Sequence, residues 1–259
     1  MEEFLFEIRQ PDLNSWKPIP HVDEAQMREV DRIAVEDFKL GILQMMENAG
    51  RNLATLAWRY LEAHHKKEMR KKVLVLAGVG GNGGGGLCAA RHLHNRGIEV
   101  RVVLTKTARE YGGAAEVQLA ILDRAGVSPS SIEDTPDLIV DTDLVLDALI
   151  GYSLRGAPCG AAKRLIDLAN ESSLPVISLD LPSGLNATTG DTPGSCVRAT
   201  QTMSLALPKP GLINPVCGEL FLADIGIPPE VYHPLGLTFA PFFGSEYLLA
   251  MRSKALKLQ

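Results

Sequence analysis

The sequence has little of what would take a protein into a membrane, out of the cell or onto nucleic acid. No apolar run approaches the roughly 18 residues of a spanning helix. Residues 1–7 carry neither the basic region nor the apolar core of a secretory signal. A formal net charge of −5 and a pI near 5.7 argue against a nucleic-acid or acidic-membrane partner. A cytoplasmic location is the expectation. The four cysteines, Cys88, Cys159, Cys196 and Cys217, are widely spaced with no C-x-x-C, as suits reduced, structural thiols. The histidines form no H-E-x-x-H and no zinc-type spacing with cysteine. His92 and His94 stand two apart on a predicted helix and do not share a face.

What is present is ordinary globular composition. The chain has 259 residues, 46% hydrophobic and 22% charged, enough for one large α/β domain. No repeat, low-complexity segment or linker marks a second domain. Residues 1–259 therefore read as one domain. Residues 1–22 are expected to be an irregular arm, because Pro11, Pro18 and Pro20 block a long helix, and residues 253–259 a loose tail.

One stretch organises the rest. Val73-Leu-Val-Leu-Ala77 is an apolar run of β-formers and predicts a buried strand. Residues 80–86 are all glycine except Asn82 and predict a turn. Leu87-Cys-Ala-Ala-Arg-His-Leu-His94 then has helical spacing. A strand, a glycine-rich turn and a helix start together make an anion-binding site, because unpaired N–H groups point outward and glycine lets a ligand approach the main chain.

Upstream, Asp23 to Gln26 reads as a capping box opening a helix. A second helix follows Gly41, and the basic run 66–72 reads as its solvated end. Downstream, strands at 73–77, 100–104, 144–150, 176–179, 202–207 and 219–223 alternate with helices at 84–96, 114–125 and 161–170, while 128–136 is turn-rich. The pattern predicts an α/β fold with three α-β-α layers, a Rossmann-like, mostly parallel sheet with helices on both faces. In such sheets ligands sit beyond the carboxyl ends of the strands. Four predicted strand ends carry chemistry there: the glycine-rich turn, Asp147 with 151–156, Asp180 to Gly184, and Pro208-Lys209-Pro210.

Gly78-x-Gly80-x-x-Gly83 matches the dinucleotide fingerprint, which alone suggests a dehydrogenase. That reading needs a carboxylate at the end of the second strand for the adenine ribose. Val103-Leu-Thr-Lys106 offers none, and glycine runs on to Gly86, out of register. Hydride transfer is set aside.

Several separated segments, in order over about 23–230, resemble the NAD(P)H-hydrate epimerases, the YjeF N-terminal-type domains. Met46-Glu-Asn-Ala-Gly50 is similar to that family's M-E-N-A-G, and Ala77 to Leu87 to its A-G-x-G-N-N-G-G-D-G-L. Leu146 to Gly151 resembles V-D-A-[IL]-[FL]-G, and Asp180 to Gly184 resembles D-[IL]-P-S-G. Ala206 to Gly211 is similar to A-x-K-P-G, and Asp224 to Pro228 to D-I-G-I-P. The resemblance implies an isomerase that interconverts the R and S forms of NADH or NADPH hydrated at C6 of the nicotinamide ring (NADHX and NADPHX). A separate ADP- or ATP-dependent, S-specific dehydratase then restores the cofactor. It further implies a homodimer and one potassium ion per subunit, held by Asn82, Asp147 and Ser183. Oxygen donors of these kinds suit a hard cation. Substrate contacts are implied for Gly81, Asn82, Gly83, Gly84 and Gly85, for Gly151, Tyr152, Ser153, Leu154, Arg155, Gly156 and Ala157, and for Asp180. Arg155 would assist the turn in binding pyrophosphate. Reversing C6 needs an acid for the leaving oxygen and a base for water. Asp180 is the candidate, with Lys106 a lesser one.

Two positions depart from the family pattern. Gly81 stands where the first Asn would be, and Gly85 where the Asp would be. Extra glycine predicts a more mobile turn and looser substrate geometry. A second reading therefore stands beside the enzyme: a non-catalytic binding or dimerising scaffold that keeps a nucleotide-sized pocket.

Overall fold

The computed structural model describes residues 5–10, 15–64 and 71–254. Its centre is a nine-stranded sheet in the order β2-β1-β9-β8-β7-β6-β5-β3-β4. The parallel part comprises β3 (Lys72–Ala77), β4 (Glu99–Leu104), β5 (Leu144–Ala148), β6 (Val176–Leu179), β7 (Gln201–Leu205) and β8 (Glu219–Ala223). An antiparallel margin is added by β9 (Leu248–Ser253), β1 (Phe6–Gln10) and β2 (Ser15–Ile19).

Strand β3 shows why the sheet is covered on both faces. Val73, Val75 and Ala77 point into a core shared with α2 (Ile42–His64), α3 (Gly81–His94) and α4 (Gly113–Arg124). Leu74 and Leu76 point the other way, into a core closed by α5 (Thr135–Val140) and α6 (Gly160–Glu171). Period-two alternation with both faces apolar is the signature of a central parallel strand, and the three expected layers are present. A third core, at the carboxyl end of the strands, docks α1 (Glu24–Arg32) through Met27 and Val30, and the helical turn after it through Ala34, onto Ala206, Leu207 and Ile225. The capping box of α1 forms as expected, with Gln26 N donating to Asp23 Oδ1 at 2.8 Å and Asp23 N to Gln26 Oε1 at 3.0 Å.

The N-terminal segment expected to be irregular is instead a hairpin, β1 with β2, continuing the sheet from β9. Pro18 lies inside β2, opposite Glu7. An edge strand tolerates proline because its outer N–H groups need no partner. Helix α5 occupies part of the segment read as turn-rich, with Pro136 in its first turn, where a missing N–H costs nothing. Of the basic run 66–72, residues 66–70 lie outside the described residues and Lys72 opens β3. The proposed tail is described only to residue 254, and Ser253 belongs to β9.

The largest difference is at the glycines. Residues 81–86 are not a turn but the opening of α3, and Gly83 to Gly86 are buried. A Cβ at residue 83 would lie 1.6 Å from the Gly78 carbonyl oxygen, and one at residue 86 would lie 2.4 Å from Ala148 Cβ. These glycines let a helix press against the ends of β3 and β5, and the tight packing replaces the slack that glycine alone suggested.

Two substitutions separate packing from propensity. Gly81, with open space around its missing Cβ, gains up to about 1 kcal/mol as Ala from helix propensity. Gly83→Ala carries the same propensity gain but drives a methyl into main chain, a net loss of about 2 kcal/mol or more. Thermal denaturation should show Gly81→Ala at or slightly above the unmodified protein, and Gly83→Ala roughly 5 °C or more below it.

Candidate active site

Strand β3 sits between β4 and β5, so the chain leaves its carboxyl end in one direction and later returns on the other side. That is the topological switch point where open α/β sheets bind ligands. A cavity of about 460 Å³ lies there, within the range of small-molecule sites. Its floor is the start of α3 (Gly80, Gly81, Asn82, Gly85), the loop after β5 (Gly151, Tyr152, Ser153) and the ends of β6 and β7 (Asp180, Lys209). Its opposite wall is apolar, with Met27, Val35, Ile42, Met45 and Met46 from the N-terminal helices. Helix α3 is N-capped by Gly80 with no side-chain bond, and Gly84 N is the first amide to close a helical bond, onto Gly80 O at 3.1 Å. The amides before it are the unpaired donors of a helix N-terminus.

Asp180 follows β6 directly. Its backbone has φ +67°, a left-handed conformation that Asp tolerates better than most residues. Its N–H bonds Met203 O at 2.7 Å, fixing the turn to β7. The side chain is enclosed. Lys209 Nζ donates to Oδ1 at 2.6 Å and to Leu205 O at 2.9 Å, and Tyr152 N–H donates to Oδ2 at 3.0 Å. Lys209 and Asp180 side chains are 1% and 4% exposed. A lysine held this deeply needs its carboxylate, since an unpaired buried charge is strongly destabilising.

Beneath the cavity lies a second carboxylate. Asp147 is fully buried at the end of β5. Its Oδ1 accepts Ser183 Oγ at 2.5 Å and Leu149 N at 3.3 Å, and its Oδ2 accepts Ser178 Oγ and Ser183 N, both at 2.8 Å. Burial pushes its pKa up against the pull of these donors, and no cationic side chain among the described residues is one of its hydrogen-bond partners. In the cavity floor, the buried Nδ2 of Asn82 has no partner among the described residues.

The expected site residues separate cleanly. Gly81, Asn82, Gly85, Gly151, Tyr152, Ser153 and Asp180 line the cavity. Gly83 and Gly84 are packed under it, with Met46 filling the space a Cβ on Gly84 would take. Leu154, Arg155, Gly156 and Ala157 do not line it. Leu154 is buried elsewhere, and Arg155 is exposed on the loop beyond Ser153. Lys106 follows β4, the edge strand of the sheet, and is not among the residues that line the cavity, although Gly112, Ala114 and Ala115 farther along the same connection are. The exposed Lys106 ammonium lies 3.6 Å from Glu110, outside the cavity.

Two charged cavity residues, Lys209 and Asp31, carry no expected site role, although the Lys209 strand end is one of those singled out by the sequence. Lys209 had a signal, being the one charge between apolar Ala206-Leu207 and Gly211-Leu212. Asp31 had a subtler one, four residues after Met27 and three before Ala34, on the stripe that α1 buries.

A cluster outside the cavity joins Glu47 to Cys88 and His92. Arg91 Nη2 holds the Glu47 carboxylate at 2.5 Å and also reaches Cys88 Sγ at 3.4 Å. Burial and the neighbouring Glu47 raise the Cys88 thiol to about 12, so it stays protonated. The cluster braces α2 against α3.

Comparison with known proteins places this geometry. A family profile described as "YjeF-related protein N-terminus" matches residues 42–211. A protein of Dehalogenimonas lykanthroporepellens named NAD(P)H-hydrate epimerase is 48% identical over 232 residues, covering 87% of this chain and 90% of that protein. A "bifunctional NAD(P)H-hydrate repair enzyme Nnr" of Moorella thermoacetica is 35% identical over 221 residues, 81% of this chain but 41% of that protein. The crystal structure of yeast ynu0 (YNL200c) superposes with a TM-score of 0.79 over 90% of this chain and all of that one; at 22% identity it shares the fold.

Removing one partner of the buried pair should be costly, and removing both should not. Lys209→Met is expected to lose about 3 kcal/mol or more, a fall in Tm on the order of 10 °C. The double variant Lys209→Met with Asp180→Asn should recover most of that loss in the same denaturation experiment.

Proposed function

The chain belongs to the YjeF-related N-terminal family, and from that premise we propose that it interconverts the R and S epimers of hydrated NADH and NADPH at C6 of the nicotinamide ring. The observation that carries the reading is the buried Asp180–Lys209 pair in the wall of a cavity whose floor is a helix start with unpaired amides. A scaffold that only binds or dimerises has no physical need for a desolvated ion pair there.

The residues divide the work. Main-chain N–H groups at Gly81 to Gly83 receive the pyrophosphate. Arg155, on the exposed continuation of the Tyr152 loop, meets the part of the dinucleotide beyond the cavity. The methionine-rich wall takes the nicotinamide ring, since flexible thioethers adapt to an irregular apolar shape. At C6 the leaving hydroxyl needs a proton and the returning water must lose one. Asp180 is the group placed for that transfer, and Lys209 orients it and complements its charge. The bifunctional relatives cover more than this chain spans, and a dehydratase acting on the S epimer is the consumer of the product.

The residues also fit a monovalent cation. Asp147 supplies a fully buried carboxylate with no cationic partner among the described residues, Ser183 a hydroxyl and Ile150 a carbonyl 3.2 Å from that hydroxyl. The orphaned amide of Asn82, turned over, presents its oxygen. These oxygens suit a hard cation, for which we propose potassium held by Asn82, Asp147 and Ser183. When bound, it supplies positive charge that offsets Asp147 and steadies the strand ends.

A coupled assay tests the activity. Mixed epimers of hydrated NADH are given to an S-specific dehydratase with ATP or ADP, in potassium buffer. The chain should accelerate repair of the R fraction, and Asp180→Asn should lower that rate about 100-fold or more. R repair at the spontaneous rate would overturn the reading, and retained binding of hydrated NADH without turnover would favour the binding module. For the cation, Tm should be higher in potassium chloride than in tetramethylammonium chloride at equal ionic strength, and Asp147→Asn should remove the difference.

A further inference from the structure

Inverting C6 requires proton transfer on both faces of one ring, and the cavity holds a second carboxylate that the Asp180 scheme leaves idle. Asp31 reaches the cavity from α1. Its Oδ2 accepts the Tyr152 hydroxyl at 2.5 Å, while the main-chain N–H of the same Tyr152 donates to Asp180 Oδ2 at 3.0 Å. One residue thus ties the two carboxylates together, the phenol on one and the backbone on the other. Asp31 has no cation bonded to it among the described residues. Arg28, one turn earlier, is engaged with Glu24 at 2.7 Å and lies over the Tyr152 ring at 5.8 Å. Burial pushes the Asp31 carboxyl above the usual carboxylate range, against the Tyr152 hydroxyl and the Lys209 charge, and Asp180 adds to the rise. Two carboxyls in one cavity with different surroundings, one paired to a lysine and one bonded to a phenol, are arranged for opposite proton duties.

We propose that Asp31 is the second acid/base group of the reaction, acting on the ring face opposite Asp180; the inference rests on the epimerase reading. In one direction the Asp31 carboxyl gives its proton to the C6 hydroxyl. The C6–O bond breaks, its electron pair leaves with the oxygen as water, and the N1 lone pair forms a C6=N1 double bond. A water on the other face adds its electron pair to C6, the double-bond pair returns to N1, and Asp180 takes the proton the water sheds. One water leaves, one enters, and one proton passes from Asp31 to Asp180; exchange with solvent through the open rim then deprotonates Asp180 and reprotonates Asp31 before the next turnover. The reverse epimerisation uses the same steps with the carboxyls exchanged. Tyr152 is a positioning residue that keeps the two groups on opposite sides of the ring.

The test is the pH dependence and kinetics of R-epimer conversion, with dehydratase in excess, for the unmodified chain, Asp31→Asn and Asp31→Glu. Asn keeps the shape and an oxygen that still accepts the Tyr152 hydroxyl. Asp31→Asn should lower kcat about 100-fold or more with KM changed less than about threefold and Tm unchanged, and Asp31→Glu should recover at least roughly tenfold of that loss. The unmodified chain should show two limbs in kcat/KM against pH, and Asp31→Asn one. The other groups facing Asp31 are Arg28 on its own helix, Tyr152, Asp180, Lys209 and Tyr232, all present in both proteins, so the lost limb belongs to Asp31. The proposal is overturned if Asp31→Asn keeps most of kcat, if its loss is entirely in KM or Tm with both limbs intact, or if the unmodified chain shows a single limb. If the unmodified chain does not accelerate R repair at all, the epimerase reading and this inference fall together. An active unmodified chain with an equally active Asp31→Asn removes only the inference.

Discussion

Lys209 donates to both Asp180 Oδ1 and the Leu205 carbonyl from a position with almost no solvent contact. Desolvating an ammonium and a carboxylate costs several kcal/mol for each ion, and their attraction recovers this only with good geometry and full hydrogen bonding. The geometry is close, and two of the three ammonium protons have acceptors at 2.6 and 2.9 Å. The remaining carboxylate oxygen takes the Tyr152 amide, and the Tyr152 hydroxyl goes on to Asp31. This single chain of bonds fastens the ends of β6 and β7 to the loop after β5 and to α1, so four segments distant in sequence share one electrostatic constraint. A well-packed apolar pair would stabilise the fold as well or better. Keeping charges here instead makes sense where a cavity opens onto them.

That constraint works only because α3 comes close enough to close the floor of the same cavity. The approach is steric before it is electrostatic. Gly83 accepts the Gly78 carbonyl where any side chain would collide, and Gly86 accepts Ala148. Gly85 packs in the same way: a Cβ there would fall 2.7 Å from Leu179 Cδ2, the tip of the side chain immediately before Asp180. A side chain at residue 85 would therefore have to displace that leucine tip, which links this glycine to the packing beneath Asp180.

The layered sheet was legible because its signals are local. Alternating apolar strands, a capping box at Asp23 and glycines at helix ends each act over a few residues. The edge hairpin was not, because Pro18 reads as a strand breaker unless the strand is known to lie at an edge, and that is a property of the finished sheet. The site divides in the same manner. Asp147 and Asp180 are marked as candidates by strand-end position, and their roles, like that of Asn82, come from the resemblance to the family. Lys106 also follows a strand, the outermost one, and its side chain stands beside Glu110 outside the cavity lining. Asp31 could not be ranked from the sequence, since a carboxylate on the buried face of a helix acquires a role only when its Tyr152 partner, 121 residues away, is brought against it.

The composition of the cavity follows from what the reaction consumes. Water is both leaving group and nucleophile in a C6 epimerisation, so a fully sealed site would work against it. Val79, Gly81 and Ser153 on the rim are exposed, while Asp180 and Lys209 at the base are buried. An apolar wall of methionines beside two carboxylates lowers the local dielectric where protons move and so strengthens each charge–dipole interaction there. Had the acid groups stood at the rim, bulk water would screen them and trap the activated ring from either face without selection. In the proposed mechanism the ring would lie between Asp180 and the partly buried Asp31, with the phosphates at the helix start, so that water would reach C6 from either side only past a group able to donate or remove its proton.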